Sequence, residues 1–417
     1  MTNCYRSDLY ALAAFFILNI GAGMLSRGFA QGQDLLAMPG DSTTGRSSYV
    51  HGLGLNFSLG RVLPTDPFYM GDNKAQKPIK QALSGHLKYS FQLPSGSLGN
   101  KLYADTYQGV GAARFNFGNA QELGNPIAIY LFQGAKIASL AQKLSLGYEW
   151  NFGLSGGWKP NDFEHNPYNV TIGSRINAYI NAGLFLKWKI NQNMDVAAGA
   201  DITHFSNGNT AFPNAGLNIA GANIGFLYHI KEKETLRKNI LYKVPAYKQH
   251  LNYDLVFFGA WRRKGVEFFD QLVASPEVYP VIGGYFAPMY NFGYRFRAGV
   301  SLDGIYDGSA NVYTKDYIIG TEQEFFKPDL NRQMALGLSA RAEYVMPLFS
   351  IAVGMGENVL HKGGDLKGTY QTFALKIGAT RNSFLHIGYN LKDFHEPNFL
   401  MLGFGFRLRN HSPSLLH

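Results

Sequence analysis

Residues 292–302, Phe-Gly-Tyr-Arg-Phe-Arg-Ala-Gly-Val-Ser-Leu, alternate strictly between two kinds of side chain. The even positions are Phe, Tyr, Phe, Ala, Val and Leu, whereas the odd positions are small, polar or basic. Successive side chains of a β-strand point to opposite faces of its sheet. The stretch therefore predicts a strand with one apolar face and one polar, charged face.

The same alternation returns along the chain, in residues 144–153, 336–344 and 400–408. A soluble β-sandwich also alternates, but it buries its apolar face and does not usually carry Arg and Glu on the other face in strand after strand. A lipid-facing wall around a wet lumen accounts for both faces. The sequence thus predicts an all-β protein, a transmembrane antiparallel β-barrel.

Composition supports this fold class. Of 417 residues, 46% are hydrophobic, 14% aromatic and only 16% charged, against about 25% charged in an average domain. Such a shortage of charge argues against intrinsic disorder and against a coiled coil. The mean hydropathy of −0.13 argues against a helical membrane protein, but a barrel averages lipid-facing and lumen-facing residues and stays near neutral.

The alternating segments number about sixteen, although fourteen strands are also defensible. Connections after the odd-numbered segments are mostly long and those after the even-numbered ones mostly tight, as in bacterial outer-membrane barrels. The exception is the basic stretch 231–248. We expect a single barrel domain over residues 31–417, with strands that begin near residues 48, 80, 102, 127, 143, 176, 192, 219, 249, 277, 292, 334, 349, 370, 383 and 398.

The N-terminus has the pattern of a cleavable signal peptide over residues 1–30. An apolar run from Leu9 to Leu25 is followed by Gly28 and Ala30, small residues that suit cleavage before Gln31. An N-terminal transmembrane anchor is the alternative, but the run is short for spanning. Cleavage would remove Cys4, the only cysteine, so the mature chain would hold no disulfide and no cysteine ligand.

The last segment, residues 398–409, ends in alternating aromatic and apolar residues. Terminal strands that the barrel-insertion machinery recognises have this pattern, which predicts that machinery as a partner during biogenesis. Together with the signal peptide, it predicts location in the outer membrane, among its lipids.

Familiar catalytic and nucleotide-binding motifs are missing, and neither a cofactor nor a metal site is expected. The net charge of +9 is scattered along the chain, which argues against nucleic-acid binding. Lipopolysaccharide, with its phosphates, is the anionic partner that such a surface would meet. His361 and His386 are interpreted as a loop residue and a lumen residue rather than metal ligands.

The segment 201–208, Asp-Ile-Thr-His-Phe-Ser-Asn-Gly, is a candidate site. Strand parity places His204 and Ser206 in the lipid-facing row, and Asn218 on the same face of the next strand. A His and a Ser two residues apart on one face can form a base and nucleophile pair. Asn207 and the backbone of Gly208 could then receive an oxyanion.

The non-catalytic interpretation is that this segment only forms the rim of a β-hairpin. His-x-Ser is a common tripeptide, and Ser-Asn-Gly is ordinary turn chemistry. The lipid-side placement favours catalysis, because a channel has no evident use for His and Ser on its outer wall.

The residues His204 to Asn207, with Pro213-Asn-Ala-Gly-Leu-Asn218 after them, resemble the active-site hairpin of the PagL-type lipid A 3-O-deacylases, outer-membrane barrel esterases that are also described as acyloxyacyl hydrolase-like. The resemblance implies His204 as general base, Ser206 as nucleophile and Asn207 at the oxyanion hole, while the family places its glycine slightly later in the turn than Gly208. The family's acid is a Glu, and Asn218 stands in its place here, which implies weak activity or an altered substrate. The resemblance covers roughly residues 195–228, within the hairpin 192–230.

From residues and resemblance together, we expect an outer-membrane carboxylic-ester hydrolase that removes an acyl chain from lipid A. The alternatives are a non-catalytic porin-like channel and a barrel that only binds lipid A. Sixteen strands in one barrel would leave room for a pore.

Overall fold

The computed structural model describes residues 49–93, 98–103, 106–230, 244–268, 271–315, 323–394 and 396–412. The expected signal peptide, with Cys4, lies outside these ranges, as do residues 231–243 of the basic stretch. No helix within the described ranges is long and apolar enough to cross a bilayer.

The first half of the chain forms a closed antiparallel barrel of eight strands. It closes because the eighth strand pairs with the first along its length, for example Leu55 with Phe226. Two short helices, Pro67–Met70 and Leu98–Leu102, lie in connections. The strands are β1 (Val50–Val62), β2 (Gln81–Gln92), β3 (Tyr107–Asn116), β4 (Gly124–Ser139), β5 (Leu144–Trp158), β6 (Ile176–Lys189), β7 (Met194–Ser206) and β8 (Leu217–Ile230).

The second half forms another closed barrel of eight long strands, in which β9 pairs with both β12 and β20. Short two-stranded sheets and two 3-10 turns, Leu330–Arg332 and Gly364–Leu366, decorate its loops. The strands in chain order are β9 (His250–Arg262), β10 (Gly265–Phe268), β11 (Gln271–Ala274), β12 (Tyr279–Asn291), β13 (Phe296–Asp307), β14 (Tyr313–Thr314), β15 (Phe325–Phe326), β16 (Met334–Val345), β17 (Phe349–Leu360), β18 (Thr369–Gly378), β19 (Ser383–Lys392) and β20 (Glu396–Leu408).

The fold class is confirmed: the chain is an antiparallel β-barrel protein. The expected single barrel over residues 31–417 differs from the structure, which divides the long strands into two closed barrels. The physical reason is strand pairing: the second edge of β8 forms its backbone hydrogen bonds with β1 and not with β9. The basic stretch 231–248 therefore connects two barrels instead of two neighbouring strands.

The two faces of the strands are as the alternation predicts. On β13, Val300 and Leu302 are 63% and 51% exposed, whereas Arg297 and Ser301 are each 2% exposed. A large apolar side chain is left exposed on the outer wall of a barrel when that wall faces lipid. Arginine points inward, where it finds carboxylate partners.

Side chains occupy much of both interiors, as expected for eight strands, and a cavity lined by Asn56, Lys88 and Glu149 remains in the polar half of the first. The long-loop half of the first interior is an aromatic cluster in which Phe205 packs against Trp158 and Tyr179. In the second interior, Glu343 accepts hydrogen bonds from Arg297 and Lys376. An open pore of the kind that sixteen strands would enclose is not formed by the described strands.

The ends of the barrels differ in their connections. Short turns join strands at one end, for example residues 140–143, 190–193 and 379–382, and longer loops join them at the other. The loop 207–216, which we call the β7–β8 loop, lies at the long-loop end. It follows directly on the candidate Ser206.

The two barrels touch at both ends. At the short-turn end, Tyr103 donates a hydrogen bond to the carbonyl oxygen of Val345, and the rings of Trp150 and Phe349 lie 5.7 Å apart. At the long-loop end, the β7–β8 loop meets the beginning of β20, where Asn209 donates to the carbonyl oxygen of Asn398 over 3.2 Å. The candidate site thus lies beside the contact between the barrels.

Candidate active site

His204 and Ser206 lie at the end of β7, on its outer face. Phe205 between them is fully buried in the aromatic cluster of the first interior. Because side chains alternate along a strand, His204 and Ser206 point away from that interior, and both are partly exposed. The structure agrees with strand parity at this point.

Asn218 lies directly across from His204 on β8. The Nδ1 atom of the imidazole is 2.7 Å from Oδ1 of Asn218. An amide oxygen only accepts, so Nδ1 carries the proton and donates. In this tautomer the other ring nitrogen, Nε2, has the lone pair that a general base requires.

Gly216 keeps the space beside the pair open. A Cβ atom at this position would lie 3.2 Å from Cε1 of His204 and 3.6 Å from Cβ of Ser206. Its φ of 73° also favours glycine. The hydroxyl of Tyr69 donates to its carbonyl oxygen over 2.8 Å, and its N–H donates to the carbonyl oxygen of Thr171. A small residue is therefore fixed next to the imidazole.

Asn207, expected at the oxyanion hole, is buried and organises the β7–β8 loop. Its backbone N–H donates to Oδ1 of Asn214 over 2.9 Å. Its side-chain amide donates to the carbonyl oxygen of Ala211 over 2.7 Å, and its own carbonyl oxygen accepts from Thr210. These bonds occupy the donor that the oxyanion would need from the backbone of Asn207.

Gly208 presents the opposite situation. It is buried, with a φ of 62°, and its N–H has no hydrogen-bond partner among the described residues. Buried backbone N–H groups are nearly always paired. An unpaired one immediately after Ser206 and Asn207 is suited to receive developing negative charge.

Asp201 and Thr203 face the interior, as strand parity predicts. The side-chain amide of Asn181 donates to both of them, over 3.1 Å and 2.8 Å. They belong to the polar half of the first lumen and take no part in the outer site.

A second Ser–His pair was missed by sequence reasoning. Ser84 Oγ lies 2.9 Å from Nε2 of His86, whose Nδ1 lies 3.0 Å from the hydroxyl of Tyr130. The signal is present in the sequence as Ser-Gly-His on alternating positions. This pair is enclosed in the first barrel, where a lipid has no access.

A groove of small side chains on the outer wall was also missed. It begins two positions along the strands from His204 and Asn218, at Ile202 and its partner Ala220. The sequence pattern that could have predicted this groove is the presence of alanines at even positions of β6, β7 and β8. The groove is lined by Ala182, Ala200, Ala220 and Ala222, with Leu59 and Leu184 at its sides and Arg61 and Lys80 at one edge.

No cluster of three His, Cys, Asp or Glu side chains able to hold a metal is found in the described ranges. His361 accepts a hydrogen bond from the N–H of Gly363 within its loop. His386 is buried inside the second barrel, and its ring nitrogens have no hydrogen-bond partner among the described residues.

Three solved structures are similar to the chain. Neisserial surface protein A covers 43% of it and 96% of its own length, at 8% identity and a TM-score of 0.30. The match with a deletion mutant of the TodX monoaromatic hydrocarbon channel covers 88% of this chain and 91% of the channel, at 10% identity and a TM-score of 0.18. The match with Omp33 of Acinetobacter baumannii covers 86% of this chain and 98% of Omp33, at 8% identity and a TM-score of 0.17. At such identities none of them indicates a function for this chain.

A comparison with curated proteins gave no significant match. Two family profiles do match, one to each barrel. Residues 84–226 match the family described as lipid A 3-O-deacylase (PagL), and residues 251–410 match the acyloxyacyl hydrolase C-terminal domain. The first match contains the whole of β7 and the outer polar trio His204, Ser206 and Asn218. The chain therefore belongs to the PagL-type family of lipid A deacylases of the outer membrane.

Proposed function

We propose that the chain hydrolyses an acyl ester of lipid A at Ser206, with His204 as general base and Asn218 as the residue that orients the imidazole. The observation that carries the proposal is the 2.7 Å contact between Nδ1 of His204 and Oδ1 of Asn218, on the lipid-facing wall and two residues from Ser206. The family description adds the 3-O position as the ester that is cleaved.

The first half-reaction transfers the acyl group to the enzyme. Oγ of Ser206 attacks the ester carbonyl carbon while Nε2 of His204 accepts the hydroxyl proton. The oxyanion that forms is stabilised by the buried N–H of Gly208, and Asn207 contributes through the loop that it holds together. Collapse of this intermediate breaks the ester bond, and His204 returns the proton to the departing sugar hydroxyl.

The second half-reaction releases the fatty acid. A water molecule attacks the acyl-Ser206 ester, and Nε2 of His204 accepts a proton from it. Collapse expels Oγ of Ser206, which takes the proton back. Asn218 holds the ring throughout but cannot offer the imidazolium a full negative charge, so we expect slower turnover than with a carboxylate.

The surroundings of the pair fit a lipid with anionic headgroups. The alanine groove continues down the outer wall from His204, and its small side chains leave depth for an acyl chain. Arg61 and Lys80 at its edge are exposed cations, which are the side chains that bind lipid phosphates. Lipid A combines these chemical features in one molecule.

A porin-like channel is less well supported, because side chains such as Glu343, Arg297 and Lys376 fill the second interior and an aromatic cluster fills part of the first. We expect the reconstituted protein to give no stepwise conductance in planar bilayers. Recognition of β20 by the barrel-insertion machinery stays a prediction.

The deciding experiment is mass spectrometry of lipid A from Gram-negative cells that express the wild-type chain or a variant. We expect loss of one acyl-chain mass with the wild type and none with Ser206→Ala. His204→Ala should be nearly as severe, because groups that act as one unit give non-additive losses.

Ser84→Ala is the matched control, since it removes the hydroxyl of the enclosed pair with His86 and should leave deacylation intact. Wild-type deacylation by a well-assembled Ser206→Ala variant would show that Ser206 is not the nucleophile. An unchanged lipid A spectrum for every chain, at equal amounts in the membrane, would favour a barrel that only binds lipid A.

A further inference from the structure

The β7–β8 loop is held by two different barrels. Its second half is fixed by the first barrel, through Tyr69 and Thr171 at Gly216. Its first half, residues 208–212, is fixed by the second barrel. The N–H of Arg263 donates to the carbonyl oxygen of Thr210 over 3.0 Å, and a Cβ on Gly265 would lie 2.9 Å from the ring of Phe212.

The tightest packing between the loop and the second barrel is at Gly208, the proposed oxyanion donor, against Leu400. A Cβ on Gly208 would lie 2.5 Å from Cδ2 and 2.6 Å from Cγ of Leu400. Leu400 stands on the outer face of β20 and is partly buried there, whereas Leu402 on the same face is 37% exposed. The side chain of Leu400 therefore covers Gly208 and leaves no room for a larger residue.

The neighbouring residue strengthens the contact. Asn209 has a φ of 67°, and its side-chain amide donates to the carbonyl oxygen of Asn398. Two consecutive residues after Asn207 thus have left-handed backbone conformations, and each is in contact with β20. A peptide unit in such a conformation keeps its direction only if its surroundings fix it.

We propose that Leu400 of the second barrel is a positioning residue for the deacylase site of the first. It packs on Gly208, keeps water from its N–H and fixes the direction of that donor. The inference rests on the proposed function of Ser206 and Gly208. It also gives the second barrel a role, since no described strand of that barrel carries a His and a Ser two positions apart.

The reason for expecting a large effect is geometric. A donor acts on an oxyanion only when it is aimed at the place where the charge develops, and a misplacement of about 1 Å can cost about a hundredfold in rate. The acyl groove lies on the wall of the first barrel, away from Leu400. Loss of Leu400 should therefore lower kcat and leave KM unchanged.

The test compares Leu400→Ala with Leu402→Ala in the purified full-length protein, in mixed micelles of lipopolysaccharide and detergent. Fatty-acid release gives kcat and KM, and heat-modifiable migration on gels reports barrel assembly. We expect kcat to fall about tenfold or more for Leu400→Ala, to stay at the wild-type value for Leu402→Ala, and to be largely restored in Leu400→Met.

Asn209→Gly is a second, independent variant. Glycine tolerates the φ of 67°, so this change removes the bond to Asn398 without straining the loop. We expect kcat to fall about fivefold, the effect of one hydrogen bond.

An unchanged kcat in Leu400→Ala would overturn the inference, even if Asn209→Gly lowers kcat, and so would a raised KM with kcat unchanged. Ser206→Ala, assayed in parallel, separates this failure from failure of the proposed function. If Ser206→Ala is inactive while Leu400→Ala equals the wild type, only the role of Leu400 is wrong. If Ser206→Ala is active, the nucleophile itself is misassigned.

Discussion

The two barrels have similar outer walls but are filled by different interactions. The first holds its lumen with aromatic packing around Phe205, with amide bonds to Asp201 and with separate ion pairs such as that of Lys88 with Glu149. The second holds its lumen with an ionic network, in which Asp254 accepts from Lys376 and Arg407 while Glu343 accepts from Arg297. Among the residues that the structure describes, only the first barrel has a Ser and a His two positions apart on the outer face of a strand.

This difference indicates a division of labour between the barrels. Polar residues on a lipid-facing wall are costly, and the first barrel carries His204, Ser206 and Asn218 there. The second barrel keeps its charges inside, where they are paired, and presents Leu400 to the loop of the first. In our proposal, the catalytic chemistry and the support of its loop are divided between the two barrels.

The largest expected effect concerns stability. Glu343→Gln keeps the shape of the side chain but removes the charge of a fully buried carboxylate that contacts Arg297 and Lys376. It should destabilise the second barrel by about 3–5 kcal/mol, because the buried Arg297 loses its carboxylate partner, whereas Lys376 keeps Asp254. Asp201→Asn in the first barrel should cost only about 1 kcal/mol, since its partners Asn181 and Asn223 are neutral.

Tryptophan fluorescence during guanidinium unfolding can separate the two barrels. Trp261 is in the second barrel, and the other three tryptophans are in β5 and β6 of the first. A background with those three changed to Phe reports the second barrel alone. Equal losses of stability for Glu343→Gln and Asp201→Asn would contradict the contrast between the charged partners of Glu343 and the neutral amide partners of Asp201.

The sequence predicted the strands far better than their closure. Ile176, Met334, Phe349 and Ser383 begin strands at the expected residues, because alternation fixes where each strand lies and which face is apolar. Closure depends on which strand pairs with β1, and alternation carries no information on that. The cue was the stretch 231–248, a long connection on the side of the short turns.

The candidate site shows the same limit. Parity on β7 and β8 was enough to put His204, Ser206 and Asn218 on one face, because those residues lie within one hairpin. The covering of Gly208 by Leu400 joins residues far apart in sequence and depends on how two barrels pack. The engagement of Asn207 by Asn214 and Ala211 depends on loop geometry, which turn propensity alone does not specify.

An intermediate effect on kcat is expected from changes at Asn218 of the first barrel. Asn218→Ala should lower kcat about tenfold by releasing the ring of His204, which corresponds to about 1.4 kcal/mol. Asn218→Glu should raise kcat about tenfold, because a carboxylate stabilises the imidazolium that forms. Initial rates of fatty-acid release measure both changes, and equal rates for Ala, Asn and Glu at this position would rule out an orienting role.

The smallest expected effect is a difference in how the loops of the two barrels respond to acid. In the second barrel, Asp365 forms an ion pair with Lys264 and accepts from the N–H of Asn311 over 2.7 Å. Burial raises the pKa of Asp365, but Lys264 and the N–H of Asn311 outweigh it and hold the pKa below its usual range. In the first barrel, the β7–β8 loop is held by amide and hydroxyl donors, with no carboxylate among the contacts described above.

A carboxyl group with a lowered pKa in the folded state stabilises that state above its unfolded pKa, and the contribution is lost as the pH falls through the folded value. We therefore expect the loop 361–368 to loosen below about pH 4 while the β7–β8 loop is unaffected. Amide hydrogen exchange over a pH series, corrected for the intrinsic exchange rate, measures both loops in one sample. Asp365→Asn should remove the pH response of 361–368. The ion pair of Asp365 with Lys264 contributes less than about 1 kcal/mol, because it is partly exposed and screened by salt. If acid loosens both loops alike, a more general unfolding, and not this carboxylate, is responsible.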